Sequence, residues 1–126
     1  MDFLELLKNA ISNGSKSWIF EFEGRQLKVF PTTIDFGDDE PEEYITFDYY
    51  SIPFCFSDNE ERAIEHSLTL HIVTKEEERN LYRAIKKQLK SHDFVFQQEN
   101  GSLSASYPQK NHEILEFKLS TEETEE

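Results

Sequence analysis

Apolar residues recur along this chain with two periods, and the switches between them mark its elements. Phe3, Leu4, Leu7, Ala10 and Ile11 fall on one side of a helix, so Asp2 to Ser12 reads as a short helix. Asp2 caps it, Glu5 sits three residues on in a capping-box-like pattern, and Asn13-Gly14 stops it. Alternation then takes over. Trp18, Phe20 and Phe22 interleave with Ile19, Glu21 and Glu23, a turn follows at Gly24, and Leu27 and Val29 share a face of Gln26–Phe30. Pro31 to Glu43 breaks the pattern and reads as a loop. Tyr44–Ile52 resumes it, with Ile45, Phe47 and Tyr49 on the core side and Tyr44, Thr46, Asp48 and Tyr50 facing out. Pro53 interrupts, Phe54-Cys55-Phe56 is expected as an edge strand or bulge, and Ser57–Glu61 as an acidic turn.

The second half repeats the sequence of periods. In Ala63–Val73, Ile64, Leu68, Leu70 and Ile72 point one way, and Glu65, Ser67, Thr69 and His71 the other. One face meets a core and one meets water, as in an antiparallel sheet. Thr74–Ser91 reads as a helix, with Thr74 and Glu77 as a capping box and Leu81, Tyr82, Ile85 and Leu89 as its buried stripe. Strands follow at Phe94–Gln98, Ser102–Tyr107 and Glu113–Leu119, with Asn100-Gly101 as a hairpin turn between the first two. The expected fold is α+β: a mostly antiparallel sheet of about five to seven strands with two helices packed on one face. Residues 1–119 form a single acidic domain in this reading. Residues 120–126, with four Glu and no apolar side chain, form a disordered acidic tail.

Charge then narrows the function. The chain carries 26 acidic and 13 basic side chains among 126 residues, a formal net charge of −13. Such a field opposes contact with nucleic-acid phosphates and anionic lipid and favours basic partners. The charge is also patterned. Between Pro31 and Glu61 stand ten carboxylates, seven aromatic residues and no Lys or Arg. Within that window Asp35, Asp38, Asp39, Glu40, Glu42, Glu43, Tyr44, Asp48 and Tyr50 are the candidate partner-binding residues: carboxylates steer a positive partner and tyrosines supply buried area. A solvated loop and a Ca²⁺ or Mg²⁺ site are the competing readings of the same acids. Their spacing lacks the alternating Asp pattern of an EF-hand, and no metal or cofactor is expected. A second helix rich in Arg79, Arg83, Lys86, Lys87 and Lys90 balances some of the charge internally or faces solvent.

Catalytic signatures are sparse. His66 and His71 sit five apart on one strand, so they point to opposite faces, and His66 is expected as a hydrogen-bonded core residue. Cys55, the only cysteine, lies between two Phe and reads as a small buried hydrophobe. Asp35-Phe36-Gly37 spells a kinase triplet without the other kinase motifs. No hydrolase elbow, phosphate loop or dinucleotide fingerprint is present. The start lacks a signal-peptide pattern and no apolar run approaches a membrane span, so a cytoplasmic site is expected.

These features favour a non-enzymatic protein-binding module. It would dock on and inhibit a basic, nucleic-acid-binding protein, in the manner of immunity and anti-defence proteins, possible mimicry of phosphate charge included. In size, charge and helix–strand–helix order the chain is also similar to small acidic secretion chaperones. That resemblance implies a chaperone or assembly subunit, often dimeric, binding through apolar faces such as Phe54, Phe56 and the first helix. The short first helix and the surplus of strands depart from it. A small enzyme using His66 or His71 with a carboxylate is the third alternative. Monomer and homodimer both remain open.

Overall fold

A computed structural model describes residues 3–13, 17–55, 62–102 and 111–123. Along the chain run α1 (Phe3–Ile11), β1 (Ile19–Phe22), β2 (Arg25–Pro31), β3 (Tyr44–Cys55), β4 (Arg62–Thr74), α2 (Arg79–Lys90), β5 (Val95–Ser102) and β6 (Asn111–Glu123). The strands form one sheet in the order β1-β2-β3-β4-β6-β5. The fold is α+β and the sheet mostly antiparallel; among the described residues only β2 and β3 pair in parallel. Glu23 and Gly24 both take positive φ, 49° and 79°, which suits the tight two-residue turn joining β1 to β2. A parallel pair cannot be joined that way. It needs a crossover, and residues 32–43 supply it without a helix.

Alternation sorts the strand residues as the sequence implies. Ile45 and Phe47 of β3, Leu68, Leu70 and Ile72 of β4, and Leu115, Phe117 and Leu119 of β6 are buried together. The stripes Phe3, Leu7, Ala10 and Ile11 of α1 and Leu81, Tyr82, Ile85 and Leu89 of α2 join the same cluster. Gln88 of α2 donates to the backbone carbonyl of Ala10 at 2.8 Å, linking the helices. The apolar side of α1 is thus occupied inside the molecule and is not the open surface that the chaperone reading expects. Asn13, just past α1, both donates to and accepts from the backbone of Glu21 at 2.8 Å, acting as a side-chain partner for the outer strand.

Several boundaries differ from the expectations. Thr74 does not cap α2: it is the buried last residue of β4, paired with Asn111, and its hydroxyl donates to the Glu76 carbonyl at 2.6 Å. The helix starts at Arg79 behind Glu78, whose side chain makes no capping bond because it is committed to Arg25. Pro53 does not end β3. Past Phe47 that strand has no pairing to β2, so the missing N–H of Pro53 falls on strand-edge backbone, where proline is tolerated. Asn100-Gly101 is not a hairpin turn either. β5 runs through it with register shifts and Ser102 pairs with Glu113; the described residues form six strands, within the expected five to seven. The expected strand at residues 103–107 and the acidic turn at 57–61 lie outside the described residues. Ser120 to Glu123, expected in the tail, continue β6 opposite β4, with Ser120 against Glu65 and Thr121 against Ile64, and residues 124–126 lie outside the described residues.

Candidate functional site

The face of the sheet opposite the core carries the residues of the other parity. Three cross-strand rows are Tyr44–Val73–His112, Thr46–His71–Ile114 and Asp48–Thr69–Glu116, with Tyr50–Ser67–Lys118 beyond them. The crossover 32–43 folds onto the first of these rows. Phe36 meets Phe30 and Tyr44 edge-on, each at 5.0 Å between ring centres. The Tyr44 hydroxyl donates to the Glu40 carboxylate. At the loop's bend Gly37 takes φ 58°, its N–H donates to Asp35 Oδ1 at 3.0 Å, and Asp39 N–H donates to the Phe36 carbonyl at 3.0 Å.

Between loop and sheet lies a groove of about 600 Å³. Asp35, Phe36 and Glu40 form its loop wall, and Tyr44, Thr46, Asp48, His71 and His112 its sheet wall. Among the described residues, no Lys or Arg lines it.

The groove corrects one expectation sharply. Tyr44 faces away from the core, as its parity requires, yet it is only 2% exposed, because the crossover loop covers it. It offers no open surface while the loop is in place. Tyr50, six residues on and beyond the loop's reach, is 61% exposed, and its same-face neighbour Ile52 is 53% exposed. Tyr49 on the core side is packed against Phe3 at 4.5 Å.

The remaining candidate residues divide into three groups. Asp35, Glu40 and Asp48 come together around the groove. Asp38 and Asp39 are exposed on the same loop. Glu42 and Glu43 turn toward the neighbouring elements: Glu42 pairs with Lys75 at 2.8 Å, and Glu43 takes Arg25 at 2.9 Å and the Lys75 N–H at 3.2 Å. Arg25 also donates to both oxygens of Glu78, and these two carboxylates hold its guanidinium firmly in the charged form, Glu78 contributing most and burial opposing.

His71 and His112 form a contact that local sequence spacing could not reveal. Nδ1 of His71 and Nε2 of His112 lie 2.9 Å apart across β4 and β6, and Asp48 Oδ2 is 3.6 Å from Nε2 of His71. The two histidines are 41 positions apart in sequence and are brought side by side by the strand register. His112 is 4% exposed, and burial first, then the charge of His71, pushes its ionisation down to about 4. A carboxylate and two imidazoles thus share the sheet wall of the groove, the two rings hydrogen-bonded to each other and Asp48 3.6 Å from His71. Among the described residues no group of three or more His, Cys, Asp or Glu side chains is placed to hold a metal ion.

His66 occupies the place the sequence implies. It is buried on the core face, stacked on Phe3 at 4.6 Å, with Ser51 Oγ 2.6 Å from Nδ1 and Thr121 Oγ1 3.0 Å from Nε2. Burial lowers its ionisation. On α2, Lys86 lies over the Phe96 ring at 4.5 Å and Arg79 pairs with Glu77 at 3.1 Å, so part of the basic helix is engaged internally. Among the described residues no helix is long and apolar enough to cross a membrane.

No protein-family model matches the chain, and no similar sequence is found among curated proteins.

Proposed function

We propose that the chain is a non-catalytic, cytoplasmic binding module that docks a basic protein on the outer face of its sheet and obstructs that protein's nucleic-acid-binding surface. The reading rests on one arrangement. Asp35, Glu40 and Asp48 surround a groove with the rings of Phe36 and Tyr44 in its walls, and among the described residues no Lys or Arg lines it. Alongside, Tyr50 and Ile52 stand open on the same strand. Carboxylates around the groove attract and orient a positive partner, and the exposed apolar side chains supply the area that charge alone lacks. Asp38 and Asp39 extend the negative field along the loop. The net charge of −13 accelerates encounter with such a partner and repels nucleic acid itself. The inhibitory role follows from the partner's chemistry: a surface built for phosphates is the commonest large positive surface a protein presents.

The test is affinity capture from lysate at low and high salt, with the bound proteins identified. Wild type is compared with a variant carrying Asp38→Lys, Asp39→Lys and Asp48→Asn. These three carboxylates leave the Arg25 and Tyr44 contacts untouched, so the variant separates docking from folding. Capture of a nucleic-acid-binding protein by wild type at low salt, and its loss in the variant, is the expected result. Equal capture by both proteins, or capture that survives high salt unchanged, contradicts it.

A further inference from the structure

We propose that the His71–His112 pair is a one-proton acceptor on the groove floor that weakens the acidic face's hold on a cationic partner as the surroundings turn acid. The inference rests on the reading of that face as the docking site for a basic protein, and it adds the site's regulation.

The geometry carries the argument. Ring nitrogens 2.9 Å apart with ring centres 5.1 Å apart describe two imidazoles meeting nearly end on, nitrogen to nitrogen. A contact of that kind has room for one hydrogen. In the neutral pair, Asp48 favours the hydrogen on Nε2 of His71, which leaves Nδ1 of His71 to accept from Nε2–H of His112. One added proton is absorbed without breaking either contact. His71 becomes an imidazolium that donates through Nε2 toward Asp48 and through Nδ1 to His112, while His112 stays neutral with its hydrogen on Nδ1. A second proton would set two N–H groups head to head. Burial also disfavours the charged form of His112, so above about pH 4 the pair stops at one.

The charged groups that face the pair among the described residues make that single proton matter. Asp48 comes from β3, and Asp35 and Glu40 from the crossover. Glu116 of β6 stands one row along, opposite Thr69, and the Tyr44 phenol is the remaining titratable group in the lining. With both rings neutral, the described residues of the lining carry three formal negative charges, from Asp35, Glu40 and Asp48, and uptake of one proton leaves two. The new charge sits 3.6 Å from Asp48, two residues before the exposed Tyr50 on the same face of β3, so the loss falls where docking needs the charge.

Two measurements on the full chain test this. In the first, nitrogen NMR of the histidine rings is followed from pH 8 to pH 4. The rings of His71 and His112 are expected to respond together in one step, with scalar coupling between the facing nitrogens retained through it. Separate transitions, or no coupling at any pH, overturn the proposal without recourse to a variant. In the second, affinity for tetra-arginine amide is measured at pH 7.5 and pH 5.5 at fixed ionic strength. The ratio of the two affinities is compared between wild type and His71→Gln. Wild type is expected to lose about fivefold more than the variant, the scale of one unit charge near a protein surface. If both bind the peptide, lose affinity with salt and show the same pH ratio, the proton switch is wrong and the basic-partner reading stands. If neither binds at any pH, both fall.

Discussion

The hydroxyl of Tyr44 donates to the carboxylate of Glu40, fastening the crossover loop to the strand it leads into. Phe36 completes the fastening by packing edge-on against Phe30 and Tyr44. The loop is therefore one wall of the groove because an aromatic contact holds it there. Edge-on ring pairs contribute about 0.5–1.5 kcal/mol each beyond burial. Phe36→Ala is expected to speed amide exchange in residues 32–43 by about tenfold to a hundredfold, while amides of β4 and β6 keep their protection. Unchanged loop exchange would show that something other than Phe36 holds the loop.

Arg25 is the second fastening. Its guanidinium bridges Glu43, at the end of the crossover, and Glu78, immediately before α2. Arg25→Ala leaves two neighbouring carboxylates without their shared cation and is expected to cost about 1–3 kcal/mol in urea unfolding. Arg25→Lys recovers only part of the loss, since an ammonium lacks the flat fork that gives Glu78 two donors and Glu43 a third. An Arg25→Ala protein as stable as wild type would contradict this.

The buried histidines give stability a pH dependence of definite sign. The ionisation of His112 is lowered to about 4 from an ordinary 6.5, so the unfolded chain binds its proton first as pH falls. Stability is complete above 6.5, declines between 6.5 and 4, and levels off below, a loss of about 3 kcal/mol at most. His66, lowered by burial, adds a loss of the same sign. His112→Asn is expected to flatten the decline between pH 7 and pH 5 relative to wild type. Parallel curves for the two proteins would contradict it.

Much of the fold was legible because burial follows period. Leu81, Tyr82, Ile85 and Leu89 are the buried stripe of α2, and Ile45, Phe47, Leu68, Leu70 and Ile72 fall on the core side of their strands as the alternation implies. Local signals failed where tertiary contacts outweighed them. Thr74-Glu77 has the spelling of a capping box, but Thr74 is held in β4 by pairing with Asn111. Asn100-Gly101 has the spelling of a hairpin turn, but β5 continues through it in irregular register.

The site was legible in its charge and not in its shape. Asp35, Glu40 and Asp48 stand out in a stretch without basic residues, and the sequence places them in one face-and-loop region. That the loop folds back over Tyr44 depends on the parallel pairing of β2 with β3, which alternation does not encode. The meeting of His71 with His112 depends on the register of β4 against β6, fixed by the core as a whole and not by any local motif.

The central claim is that the acidic face binds positive charge. Its most direct measurement is the affinity of the chain for tetra-arginine amide at pH 7.5 across about 50 to 200 mM salt. It is made on wild type and on the Asp38→Lys, Asp39→Lys, Asp48→Asn variant. The account predicts saturable binding by wild type that weakens steadily with salt, and at least tenfold weaker binding by the variant at the lowest salt, about 1.4 kcal/mol. Binding that is indifferent to salt, or equal in the two proteins, would contradict it.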